Sequence, residues 1–397
     1  MRIRPLVPTL LLTACLAACG TAPAATPSAV SGTASGSTGA CPVAPGPVAI
    51  AVGGHRNAPA PVLSGIARDL VTGHVLAGPG GPPLALISVE GVARVVVAPQ
   101  SFTSDARNSA AVDRDRSRFL ADVDAAVAGL RAQTPESDPL GALALAARTA
   151  RAGGAGTVVL IDSGVQTAPP LDLREPGVLD ADIGDLVGHV RRTGALPDLT
   201  GLTVVLVGIG DTADPQTPLD TGRRAHLVAL WRAIVEAGGA ACVDVDPVPT
   251  TSAPVTDGPD VGVVEVPPLP ALDGDRLVLP DDATVGFRPG SAEFRDPAAA
   301  RTALGPIADR LRAEPVRQVL LTGTTARWAD AAAQRDLGLR RAAAVRAVLV
   351  DAGVDEHRIT AVGVGSEFPG YVDDLAADGT QLSGPAARNR TVVVELR

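Results

Sequence analysis

The chain has 397 residues, 43 acidic and 34 basic side chains and a formal charge of −9, and every basic residue is arginine. An acidic balance with no basic stripe excludes a binder that works by neutralising phosphates. Ala, Val, Gly, Pro and Arg dominate, which makes the missing lysine a matter of GC-rich codon usage before chemistry, and the length predicts two domains.

Arg2 and Arg4 precede an apolar run from Leu6 to Leu16, interrupted by Pro8 and too short to span a bilayer. It ends in Leu16-Ala17-Ala18-Cys19-Gly20. This resembles the lipobox of bacterial lipoproteins, which implies that residues 1–19 form a signal and lipobox segment and that Cys19 is acylated. An ordinary secretory signal would export the chain equally. Loss of Arg2 and Arg4 would take the charge from −9 to −11. Acyl chains contribute about 0.8 kcal/mol per buried CH₂, so two anchor a protein stably to a membrane. Residues 20–45 hold no charge and read as a flexible tether, about 28 Å in mean span. Cys15 leaves with the signal, and Cys41 and Cys242 remain in an oxidising compartment. A disulfide between them would close a loop of about 200 residues and stabilise by about 5 kcal/mol in the chain-entropy model. Two free buried thiols are the alternative.

From residue 46 to 246 strands and helices alternate. Apolar runs at Val48–Val52, Leu84–Val89, Arg94–Ala98, Thr157–Ile161, Leu202–Gly208 and Ala241–Val245 predict strands. Helices are predicted over Val62–Val71, Asp113–Arg131, Pro139–Arg151, Asp180–Arg192 and Arg223–Ala237. Continuous β-branched runs between helices predict a Rossmann-like, mostly parallel α/β sheet. Residues 247–272, rich in Pro, Thr and Asp, read as an interdomain linker.

A second, α+β sandwich domain is predicted over 273–397. Its strands are Arg276–Leu279, Arg317–Thr322, Ile359–Val364 and Thr391–Leu396. Asp296 caps one helix with Pro297 in its first turn, and a second helix runs Ala331–Asp351. On that helix Arg341 lies four residues after Leu337 and four before Val345, on the apolar face. A guanidinium placed there needs an anionic or carbonyl partner. From spacing alone, a ligand carboxylate and an internal salt bridge are equally good partners.

Gly323 to Val345 reads GTTARWADAAAQRDLGLRRAAAV. With VGFRPGSAEF at 285–294 and ARNRTVVVEL at 387–396, it resembles the OmpA-like peptidoglycan-binding family, without a gap in spacing. The resemblance implies non-covalent anchoring to peptidoglycan, with Phe287, Thr324, Thr325, Leu337, Arg341, Asn389 and Arg390 at the site. In that family an aspartate and the arginine together hold the diaminopimelate residue of the stem peptide. Here the aspartate position is Ala326. Loss of one partner of a desolvated pair costs about 2–5 kcal/mol, so weak or altered peptidoglycan binding is expected. Gln334, Gly338, Thr391 and Arg288 also depart from the family pattern, and Asp330 and Asp336 are candidate replacement carboxylates. A cell-surface protein-interaction scaffold without wall affinity is the alternative.

The first domain resembles von Willebrand factor A-type domains through TVVLIDSG at 157–164 and SDPLGALALAARTA at 137–150. The resemblance implies a protein partner at the carboxyl ends of the strands, lined by Asp162, Ser163, Asp211 and Gly53–Asn57. The metal-binding D-x-S-x-S of that family reads Gly53-Gly54-His55-Arg56-Asn57 here, so no metal is expected, and Asp162 could equally cap a turn. The five histidines show no metal spacing and no nucleophile elbow occurs, so no cofactor and no enzymatic activity are expected.

Overall fold

Strands that are apolar on both faces need cover on both faces, and the first part of the chain supplies it. The structure is a computed structural model and describes residues 41–397 apart from 43, 152–154, 269, 282–284, 289 and 329. The expected signal segment, Cys19 and tether residues 20–40 lie outside the described residues. The chain runs β1 (Val48–Gly53), α1 (Gly65–Leu76), β2 (Leu84–Val89), β3 (Arg94–Gln100), α2 (Ser109–Gly129), α3 (Pro139–Ala150), β4 (Thr157–Ile161), α4 (Ile183–Arg192), β5 (Thr203–Val207), α5 (Thr221–Ala237) and β6 (Cys242–Val245). The sheet order is β3-β2-β1-β4-β5-β6, parallel throughout except for the antiparallel edge strand β3.

Alternate side chains along the central strands feed two separate cores, as the period of two requires. Ala49, Ala51, Val158, Leu160, Val204 and Leu206 face a core completed by α3, α4 and α5, where Leu143, Leu186 and Trp231 are buried. Val48, Ile50, Val52, Val159, Ile161, Val205 and Val207 face a second core completed by α1 and α2. Helix α1 starts later than the Val62–Val71 pattern predicts, and Val62 is exposed. Helix α2 starts earlier, because Asn108 accepts a hydrogen bond from the Ala111 amide and caps it.

The second sheet is built from β7 (Arg276–Pro280), β8 (Val319–Thr324), β9 (Ile359–Gly365) and β10 (Thr391–Leu396) in the order β7-β10-β8-β9. Strand β10 is antiparallel to both neighbours, and β8 and β9 are parallel. Helices α6 (Pro297–Ala313) and α7 (Ala331–Asp351) pack on one face through Leu304, Ile307, Leu311, Val345 and Leu349. The departure at Gly338 has a steric cause. A Cβ on Gly338 would lie 2.5 Å from the Gly323 carbonyl oxygen, so α7 approaches β8 closely only with glycine there. A short helix, α8 (Ser383–Asn389), lies in the stretch that the sequence pattern reads as irregular.

The described residues of 247–272 hold no helix and no named strand, and this segment packs against the first unit. Val255, Val261 and Val264 are buried, the Ala60 amide donates to the Ala253 carbonyl, and the Thr250 amide donates to Asp211. The two sheet units also touch directly. Ala387 of α8 joins the first unit's core, and Gly177 approaches Gly384.

Cys41 and Cys242 form a disulfide with Cα atoms 5.9 Å apart, across 201 residues of sequence. It clips the entry to β1 onto edge strand β6. Replacing Cys242 with serine should lower unfolding free energy by about 2–5 kcal/mol. Denaturant unfolding without reductant checks this, and adding reductant to wild type should reproduce the loss.

Candidate functional site

The spacing argument for Arg341 has a concrete counterpart in α7. Gln334, Leu337, Gly338, Arg341, Ala342, Val345 and Leu349 are its buried residues, so the arginine lies in the apolar stripe with 2% of its surface exposed. Its Nε donates to the Ser291 carbonyl at 3.0 Å, and its guanidinium carbon stands 5.2 Å from the centre of the Phe287 ring. Phe287 in turn stacks on Phe294 at 4.6 Å. Among the described residues no carboxylate oxygen lies within the 4.0 Å of a salt bridge to Arg341. Burial lowers the pKa of this guanidinium, while the charge of Asp281 opposes that effect.

Arg341 opens on a cavity of about 200 Å³ lined also by Thr325, Ala326, Leu337, Trp328 and Arg390. Thr325 leaves the end of β8, its amide donating to the Gly365 carbonyl at 2.9 Å. Its side chain is buried, and its hydroxyl has no hydrogen-bond partner among the described residues. A buried hydroxyl without a partner costs about 1–3 kcal/mol, which a ligand atom in the cavity would recover. Ala326 is fully buried and supplies no charge.

The predicted residues separate by role. Thr325, Leu337, Arg341 and Arg390 line the cavity, and Phe287 supports Arg341 from below. Thr324 and Asn389 hold the framework. The Thr324 hydroxyl bonds to the Asn389 carbonyl at 2.6 Å, and the Asn389 side-chain amide exchanges hydrogen bonds with the backbone of Val372. Neither candidate replacement carboxylate reaches the cavity. Asp330 caps α7, and Asp336 pairs with Arg340 on the exposed face. Arg288 pairs with Glu293 in solvent at 3.6 Å.

Three carboxylates that sequence reasoning missed line the cavity instead. Asp281 follows β7, is 5% exposed, and accepts the Phe287 amide at 3.0 Å. Burial raises its pKa, against the pull of Arg341, Arg295 and Arg390. Asp182 and Asp185 come from the other sheet unit, at the start of α4. Asp182 faces Arg295 at 3.5 Å and Asp185 faces Arg390 at 3.1 Å. In the sequence both read only as helix-start residues.

The carboxyl ends of the first sheet were the other expected ligand surface, and they are closed. His55 and Asp162 occupy the switch point between β1 and β4, where strand order reverses, with no side-chain exposure. His55 Nε2 lies 2.8 Å from Asp162 and 3.2 Å from the Ser137 hydroxyl, and Nδ1 lies 2.7 Å from Asn57 Oδ1. Asp162 also accepts the Gly164 amide at 2.7 Å, so it caps the turn as well. Asp211 pairs with Arg224. A Cβ at Gly53 would meet Asp162 at 1.9 Å, which is why glycine stands there. The tight packing leaves the expected Asp162, Ser163 and Asn57 buried, not offered to a partner.

Residues 286–379 match the OmpA family, so the chain carries an OmpA family domain there. Among solved structures, the peptidoglycan-associated lipoprotein from Burkholderia pseudomallei is 26% identical, over 28% of this chain and 88% of that one, with a TM-score of 0.24. The periplasmic domain of Helicobacter pylori MotB is 19% identical over 30% of this chain and 80% of its own, with a TM-score of 0.25. The OmpA-like domain of FopA1 from Francisella tularensis is 19% identical over 32% of this chain and 80% of its own, with a TM-score of 0.23. No curated protein matches the chain.

The His55–Asp162 pair makes a pH prediction. Burial alone would lower the His55 pKa, but the charge and hydrogen bond of Asp162 and the hydrogen bond that Nδ1–H donates to Asn57 Oδ1 outweigh it and leave it raised. Below about pH 6.5 the imidazole is protonated in both states and the pair's contribution is complete. As pH rises further, the unfolded chain loses its proton first, and stability falls until the folded value is passed. The unfolding free energy of wild type relative to His55→Gln, measured by urea unfolding, should therefore decline as pH rises above about 6.5, by at most about 1.4 kcal/mol per pH unit.

Proposed function

We propose that this chain is a cell-envelope lipoprotein, held to the membrane through Cys19 and non-covalently to peptidoglycan through its OmpA family domain. The observation that carries the reading is a pair of groups facing one cavity: the Arg341 guanidinium, whose hydrogen-bond partner among the described residues is the Ser291 carbonyl alone, and the Thr325 hydroxyl, which has none there. A fixed planar guanidinium grips a carboxylate in a fork geometry, and the hydroxyl adds an adjacent donor. In the OmpA-like resemblance that carboxylate belongs to the diamino acid of the stem peptide. The cavity suits an amino-acid-sized group, since sites for larger molecules run from roughly 300 to 1,000 Å³.

The first unit, with its strand order and antiparallel edge strand, is read as a divergent A-type domain that presents a protein-binding surface, with no catalytic role. Its closed switch point moves that surface away from Asp162, toward the exposed edge formed by β3, where Val95 and Val96 are exposed. The second reading, a scaffold without wall affinity, draws on Ala326 and on the Arg390–Asp185 pair, which already satisfies one guanidinium at the cavity.

Co-sedimentation of the protein with purified sacculi separates the two. Wild type should pellet, and Arg341→Ala should reduce binding by at least about thirtyfold, the lower range for truncating a desolvated charge contact. If wild type stays in the supernatant and Ala326→Asp does not recover it, the scaffold reading stands. The anchor is tested separately. In detergent phase partition wild type should enter the detergent phase, and Cys19→Ser should move it to the aqueous phase.

A further inference from the structure

The cavity beside Arg341 is not built by one domain. One wall carries Arg341, Thr325 and Arg390 of the second sheet unit, and the facing wall carries Asp182 and Asp185 from the start of α4. Asp281 completes the set of titratable groups. Three carboxylates are thus set against the guanidiniums of Arg341, Arg390 and the adjacent Arg295. A simple anion entering this space meets the carboxylates, and a simple cation meets the guanidiniums. A zwitterion satisfies both walls when its carboxylate turns to Arg341 and its ammonium turns to α4.

We infer that the wall-binding site spans both units, with Asp182 and Asp185 forming the ammonium-recognising side and Arg341 the carboxylate-recognising side for one zwitterionic amino-acid centre. This rests on the peptidoglycan reading and adds the residues that select for a free amino group. The buried Thr325 hydroxyl, 1% exposed and without a partner among the described residues, is the independent sign that the cavity takes a polar ligand. The side-chain exposures agree with this division. Arg390 is 16% exposed while its partner Asp185 is 37% exposed, so the carboxylate keeps a face free for a second contact. Asp182 spends one oxygen on capping α4, accepting from the Gly184 and Asp185 amides, and its other oxygen faces Arg295 across 3.5 Å, beyond direct hydrogen-bond length.

The experiment uses the full chain and two preparations of sacculi, one native and one with its free amino groups acetylated. Asparagine at both positions keeps the cap of α4, since Asn and Asp cap equally well. On native sacculi Asp182→Asn/Asp185→Asn should bind about tenfold more weakly than wild type. Acetylation should weaken wild type to the same level and leave the double variant unchanged, a response that lost interdomain packing would not produce. Adding Ala326→Asp to the double variant should restore part of the binding and its sensitivity to acetylation. Equal or tighter binding by the double variant, or wild-type binding indifferent to acetylation, overturns the two-domain site and leaves wall binding standing. Failure of wild type to pellet overturns the wall reading and this inference together, whereas undiminished pelleting of Arg341→Ala overturns this inference alone. The acetylation comparison on wild type keeps the test valid even where the variant does not fold.

Discussion

A guanidinium buried in an apolar helix stripe, with a backbone carbonyl as its only direct hydrogen-bond partner among the described residues, sets the terms for everything around it. Transfer of an uncompensated charge to the interior costs several kcal/mol even after relaxation. The domain limits that cost in three ways. Phe287 places its ring face near the cation, Asp281 supplies a longer-range negative charge, and the cavity gives access to solvent or ligand. None of these neutralises the guanidinium as a bidentate carboxylate would. On the proposed reading a ligand carboxylate would supply that contact, and a guanidinium already fixed in place lowers what binding must spend on ordering.

The first unit shows the opposite solution at its own switch point. A parallel sheet covered on both faces brings its loops together where strand order reverses, and such crevices commonly take ligands. Here the imidazole of His55 and the carboxylate of Asp162 satisfy each other, Asn57 completes the imidazole, and Gly53 makes room. The segment after β6 then covers that edge through Thr250 and Pro254. The chain leaving β4 is packed as well, with Val165, Leu171, Leu173 and Val178 in the core, and it ends at the cap of α4. Strand β4 therefore leads from a closed site in one unit to the rim of an open site in the next.

Much of this was legible as periodicity. Uninterrupted β-branched runs specified strands covered on both faces, and the spacing of Leu337, Arg341 and Val345 placed the arginine inward before any fold was known. Helix α8 was not legible because SGPAARN carries no apolar repeat, and tertiary contact with the first unit's core holds it. The His55–Asp162 contact spans 107 residues and arises only because β1 and β4 are sheet neighbours. Asp182 and Asp185 were hidden for a different reason. Acidic residues at a helix start already have a sufficient local explanation, through capping and the helix dipole, so nothing in the pattern points to a second task.

That double use has an energetic consequence. The amides at the start of α4 hold one oxygen of Asp182, the guanidinium of Arg295 faces the other, and Arg390 pairs with Asp185. The same ion pairs help hold the two units against each other. A ligand ammonium that approaches the carboxylates lies within the field of those guanidiniums, so binding and docking share their electrostatic terms. Coupling of this kind is reciprocal: a ligand that touches both walls strengthens the contact between the units by the factor by which that contact strengthens the ligand's own binding.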